Sequence, residues 1–177
     1  MPGTHHLFTA TRMLLRIGTL LCLLLIALLG LVMGALMLAA IGAFHLPIPP
    51  NEISGVTMSE VIGAAAMAVG AGVICIALIA WMFVLTARII DTASHGDPFV
   101  TVNADRLNHI GFLLLAIQAI GLGAGIALNM MPDKIKDHVS FGFDVSASGI
   151  LAALLIFVLA QIFRRGSEMR AELEGTV

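Results

Sequence analysis

The residues of this chain that could do chemistry are six histidines, eleven acids, nine bases and two cysteines. His138 stands close to Asp133 and Asp137, with His45 and Glu52 in an earlier connection, and these residue types could hold a divalent metal. A solvated loop explains them better. His5 and His6, adjacent and without a third ligand, read the same way. A haem would need axial ligands facing each other, whereas His45 and His109 fall at opposite ends of the apolar segments beside them. No Ser-His-Asp order, HExxH, CxxC or glycine-rich phosphate loop occurs. On this basis no catalytic residue, metal or cofactor is expected, and an enzyme is the weakest functional class.

The elements that must position these groups leave little room for polar chemistry. Apolar runs occupy 17–44, 61–85, 110–128 and 145–163. Each is about 19 residues or more, enough to cross a hydrocarbon core of about 30 Å at about 1.5 Å per residue. The chain is 59% hydrophobic and 11% charged, with mean hydropathy +1.05, whereas soluble domains carry roughly 25% charged residues. Seven basic residues (Arg12, Arg16, Arg88, Arg106, Arg164, Arg165 and Arg170) lie in the N-terminal flank, the middle connection or the C-terminal tail. Only Lys134 and Lys136 lie in the other connections. By the positive-inside rule this split predicts that both termini are cytoplasmic. The expected fold class is therefore all-α, a transmembrane antiparallel four-helix bundle, N-in/C-in, forming one membrane domain over 1–177. Helices are expected at about 14–45, 58–90, 102–130 and 145–173, with a middle loop at about 91–101 and a polar helical tail over 164–177.

The net charge of −2 gives no electrostatic case for a direct nucleic-acid partner. The arginines are scattered along the chain, unlike the clusters of about four to eight that anionic-lipid recognition uses. Arg12 and Arg16 precede an apolar run about twice the usual length of a signal-peptide core, so that run reads as a retained anchor. Cys22 and Cys75 fall at different depths, with a mismatch near 10 Å against a Cα limit of roughly 7 Å for a disulfide, and are expected to be free thiols.

Local signals bound the helices. Residues 1–11 read as loose, and Pro47, Pro49 and Pro50 read as the stop of the first helix. Thr57 or Ser59 can cap the second, with Glu60 at its positive end. Gly96-Asp97-Pro98-Phe99 is a turn, after which Thr101 or Asn103 can cap the third helix and Asp144 or Ser146 the fourth. In the tail, Arg164 with Glu168 and Arg170 with Glu174 stand at i,i+4 spacing.

Helices in lipid associate through small residues and polar contacts. Gly30 with Gly34, Gly63 with Gly70 and Gly72, and Gly121 with Gly125 offer such faces; packing within the bundle is the favoured reading and a homodimer the other. The spans hold no deep ionisable group. Gln118, the deepest large polar side chain, reads as an interhelical hydrogen bond in preference to a substrate contact. Asp91, Asp97 and Asp105 with Arg88, Arg106, Arg164 and Arg165 bracket the ends of the last three helices. They offer a docking surface for a cytoplasmic partner, or pair with one another to fix the bundle ends.

Two stretches carry a family resemblance. The first is Gly96-Asp97-Pro98-Phe99 followed by Asn103, Arg106-Leu107 and Ile110-Gly111. The second is Phe163-Arg164-Arg165-Gly166, then Glu168, Arg170 and a terminal Thr176-Val177. The chain resembles the DUF2975 family of small bacterial four-helix membrane proteins over roughly residues 10–177, the first helix and first outer loop matching in hydropathy alone. It departs from the family pattern at Asn108, where a basic residue is usual. The resemblance implies a multi-pass protein of the bacterial cytoplasmic membrane with no established activity. Members are often encoded beside a Cro/C1-type helix-turn-helix regulator, which implies a cytoplasmic regulatory partner. The expected function is a non-enzymatic interaction protein that engages this partner through Asp91, Gly96, Asp97, Pro98, Phe99, Asn103, Arg106, Arg164, Glu168 and Arg170. The alternative is a binder or carrier of a lipid or apolar small molecule between the helices, around Gln118.

Overall fold

The computed structural model describes residues 2–43, 57–94, 98–131 and 146–174. It contains α1 (Pro2–Ala40), α2 (Met58–Ser94), α3 (Thr101–Asn129) and α4 (Ala147–Glu174). No strand occurs among the described residues. All four helices are long and apolar enough to cross a membrane.

α1 departs from expectation at both ends. The segment read as loose is helical from Pro2 onward, the position where a proline's fixed φ and missing N–H cost least. Arg12 explains part of this order: its Nη2 stands 2.5 Å from Asp91 Oδ1 and 3.2 Å from Ser94 Oγ, tying the early turns of α1 to the last turns of α2. At the other end the helix stops before the prolines. Gly42 adopts φ +76°, its N–H donates to the Ala39 carbonyl at 3.0 Å, and the Ala43 N–H donates to Leu38 at 2.9 Å. This paired closure satisfies the orphan carbonyls of a helix end and needs a residue without a Cβ penalty in the left-handed region.

α2 starts with a reciprocal cap. The Thr57 N–H donates to Glu60 Oε2 at 2.7 Å and the Glu60 N–H donates to Thr57 Oγ1 at 3.3 Å, so two orphan donors are satisfied at once. It runs four residues beyond the expected 90, to Ser94. There the hydroxyls of Thr92 and Ser94 donate to the carbonyls of Ile89 and Asp91, each at 2.8 Å. α3 begins without a side-chain cap, after an extended Val100. Asn103, a candidate cap by sequence, is used otherwise. At the start of α4 the Ser146 carbonyl accepts from the N–H groups of Gly149 and Ile150; Asp144 lies outside the described residues.

The helices are antiparallel neighbours in chain order. α1 with α2 and α3 with α4 form the two extensive interfaces, α2 with α3 a smaller one. Among the described residues no other pair makes more than marginal contact. Small residues set the close approaches. A Cβ on Gly18 would lie 3.0 Å from the Phe83 ring, and one on Gly111 would lie 2.7 Å from Phe157. A Cβ on Gly30, Gly34, Gly63, Gly123 or Gly125 would meet nothing within 4 Å among the described residues. For Gly30, Gly34, Gly63 and Gly125 the favoured sequence reading, packing inside the bundle, is corrected: GxxxG spacing marks a smooth face but does not say which neighbour covers it. Cys22 and Cys75 are buried and free. Trp81 is 62% exposed and faces outward.

Candidate functional site

The polar residues collect where the start of α1, the end of α2, the start of α3 and the later part of α4 come together. At the centre is Asn103, fully buried with 0% exposure. Its Nδ2 donates to Thr92 Oγ1 at 2.7 Å and to the Pro98 carbonyl at 3.0 Å. Its Oδ1 accepts from Arg106 Nη1 at 2.9 Å, and the same Nη1 donates to the Arg88 carbonyl at 3.0 Å. The Thr92 hydroxyl can accept from Asn103 while its own proton goes to a carbonyl of α2, the nearest being that of Ile89 at 2.8 Å. One carboxamide thus joins the end of α2, the chain entering α3, and the first turns of α3. Burying an amide is costly unless its donors and acceptor are matched, and here they are.

The second contact region joins α3 to α4. Arg164 Nη2 stands 2.7 Å from Asp105 Oδ1, the pairing expected between the third helix and the tail. It takes the place of the i,i+4 contact with Glu168, because Asp105 comes to the Arg164 side of α4. With the two side chains 47% and 55% exposed, such a pair contributes about 0–1 kcal/mol and orients the helices more than it holds them. Packing does more. The Phe99 ring lies 5.1 Å from that of Phe163 at 42°, over Gly166, where a Cβ would stand 2.9 Å from Phe99 Cδ1. Farther along, Phe112 and Phe157 meet edge to face at 5.1 Å. Leu107, Ile110 and Gly111, on the same side of α3 as Asn103 and Ala104, are buried.

The structure therefore assigns much of the expected cluster to internal work. Pro98, Phe99, Asn103, Arg106 and Arg164 meet across α2, α3 and α4, while Asp91 faces Arg12 on α1. Of the two arginines that could pair with an acid, Arg164 takes Asp105, and Arg106 is bonded to a carbonyl and an amide. Glu168 lines a cavity together with Asn108, Gln161, Arg164 and Arg165. Arg170 has a partner of its own. Gly96 and Asp97 lie outside the described residues, as do His45, Glu52, Asp133, Asp137 and His138.

Gln118 makes the interhelical bond read from its depth, and its partner is a helix end. Its Oε1 accepts from the Ser146 N–H at 3.1 Å, satisfying one of the four orphan donors at the start of α4. Gly149 leaves the room for its amide. Consequently α4 begins level with the middle of α3, and residues 119–129 run on for about 16 Å beyond it. Thr92, the Arg12–Asp91 pair and the Phe99–Gly166 notch were missed by sequence reasoning. Each depends on helix register, and the only advance signal was that Phe99 and Gly166 belong to the two recurring motifs.

Comparison with known proteins agrees with those motifs. A family model described as a protein of unknown function (DUF2975) matches residues 45–177, so α1 lies outside the matched segment. No curated protein and no solved structure matches the chain.

Proposed function

The chain belongs to the DUF2975 family, and from that premise we propose a multi-pass membrane protein that docks a cytoplasmic regulatory protein on the projecting end of α4. The observation carrying this reading is a pair of exposed apolar side chains in the last turns of α4. Past Gly166, under the Phe99 ring, and Ser167, whose hydroxyl accepts from Thr101 at 3.4 Å, α4 stays helical to Glu174, about 11 Å beyond Ser167. On that extension Met169 is 60% exposed and Leu173 70% exposed, at i,i+4 spacing among charged residues. Two anchors on one face of a polar helix match the way an amphipathic helix enters a partner's groove. The Asn103 network supports the reading indirectly, since it fixes the base from which the extension projects.

Orientation is part of the proposal. The seven-to-two division of basic residues supports a cytoplasmic position for this end. A reporter fused after Val177 is expected to read cytoplasmic and one inserted near Asp137 to read on the opposite side; the reverse pattern overturns the topology. The partner that the family resemblance implies is a small helix-turn-helix regulator of the Cro/C1 type.

For docking, the full chain is purified from membranes in mild detergent beside Met169→Glu and Leu173→Glu. Burying one such side chain is worth about 1.5–3 kcal/mol, so either substitution is expected to lower retention of the regulator about tenfold or more. Unchanged retention in both variants, or in a chain ending at residue 165, defeats the docking proposal.

A further inference from the structure

Along one side of the α1–α2 hairpin two cavities of about 370 Å³ each adjoin, with Thr19, Val84 and Arg88 common to both. Helical spacing explains their alignment. Positions 12, 16, 19 and 23 of α1 recur every three or four residues, as do 77, 80, 84, 88 and 91 of α2, so each set forms one face. The result is a single groove about 21 Å long between the levels of Ala77 and Asp91.

Its two ends differ in chemistry. One end carries Arg12 and Arg16 of α1 and, brought beside them from a distant part of the sequence, Arg88 of α2. Arg12 is engaged by Asp91. The guanidinium groups of Arg16 and Arg88 have no partner among the described residues. The other end is walled by Leu23, Ala77, Ala80 and Trp81. The one hydroxyl between them, that of Thr19, donates to the Leu15 carbonyl at 2.8 Å. The groove thus offers two uncompensated cations where the apolar runs give way to charge, and nothing polar along its remaining length.

We propose that this groove holds one anionic phospholipid, its phosphate between Arg16 and Arg88 and an acyl chain against Ala77, Ala80 and Trp81. Guanidinium groups donate well to phosphate oxygens, and a second copy of this chain would bring arginine against arginine. A free phosphate would satisfy the arginines but leave the apolar length unfilled, which decides for a lipid. The site is independent of docking at α4.

Trp81 is the only tryptophan of the chain, so it reports occupancy of the apolar end. The full chain is reconstituted in phosphatidylcholine vesicles containing a minor share of phospholipid brominated on its acyl chains, with either a phosphatidylglycerol or a phosphatidylcholine headgroup. Brominated phosphatidylglycerol is expected to quench Trp81 preferentially. Arg16→Gln and Arg88→Gln should each reduce that preference about fivefold, from a contribution of about 1 kcal/mol per arginine near the surface. Ala77→Phe, which fills the groove and keeps both arginines, should also reduce it. Arg165→Gln, on the α3–α4 side, should leave it intact. Equal quenching by the two headgroups in the unsubstituted chain overturns the proposal, as does a preference that excess inorganic phosphate abolishes or that Arg165→Gln lowers equally.

Discussion

Asn103→Ala is expected to destabilise the protein by about 3 kcal/mol, because a buried polar group stripped of its partner costs about 1–3 kcal/mol and a cavity is added. The side chain has 0% exposure, so its bonding partners are themselves turned inward. The Pro98 carbonyl loses its donor and Arg106 loses one of two acceptors. Thr92 keeps its own bond to Ile89, which limits the damage on α2. Asn103→Asp is the informative companion. It retains an acceptor for Arg106 but sets an oxygen against the Pro98 carbonyl, so it should recover only part of the loss. Unfolding in mixed micelles, titrated with a denaturing detergent, measures the difference. An Asn103→Ala chain that unfolds within about 0.5 kcal/mol of the parent, the range of an ordinary surface change, would show that the network is ornamental.

The second large effect is expected at Gly111→Val. A Cβ there would lie 2.7 Å and 2.8 Å from Phe157 Cε1 and Cζ, and the Phe157 ring is itself held edge to face by Phe112. The ring cannot yield without leaving that partner. Overpacking costs about 1–3 kcal/mol and a lost aromatic pair about 0.5–1.5 kcal/mol, so the variant should lose about 3 kcal/mol. Phe157→Ala in the same chain should return part of this by making room. Gly30→Val is the contrast, since open space surrounds that position, and it should leave the unfolding of the single chain unchanged. If Gly111→Val and Gly30→Val behave alike, close approach of α3 and α4 is not what the buried glycine provides.

That contrast shows where reading along the chain stops. Both glycines were equally visible as small residues in apolar runs, yet one lies under an aromatic ring and the other faces outward. The same holds at the charged end. Asp105 and Arg164 were recognisable as a pair because the end of one span and the start of another must share a boundary. Arg12–Asp91 was not, because the first turns of α1 read as loose until Asp91 and Ser94 were seen to hold them. The stop of α1 misled for another reason. Prolines are conspicuous, whereas Gly42 ends the helix through a left-handed conformation that only the local hydrogen bonds reveal.

By itself the sequence determined that four helices would form and lie antiparallel with their arginine-bearing ends together. Hydrocarbon thickness fixes run length, and the cost of a charge in lipid fixes where charges fall; both act on composition along the chain. Only the tertiary structure decided that Asn103 would be buried at the junction of α2 and α3, that Gln118 would cap α4, and that Arg16 and Arg88 would share one groove. Those outcomes depend on the rotation and axial offset of each helix against its neighbour. Lipid tails are as apolar as leucine, so the hydrophobic pattern leaves rotation and offset undetermined, and the close fit of glycine, phenylalanine and a few hydrogen bonds sets them.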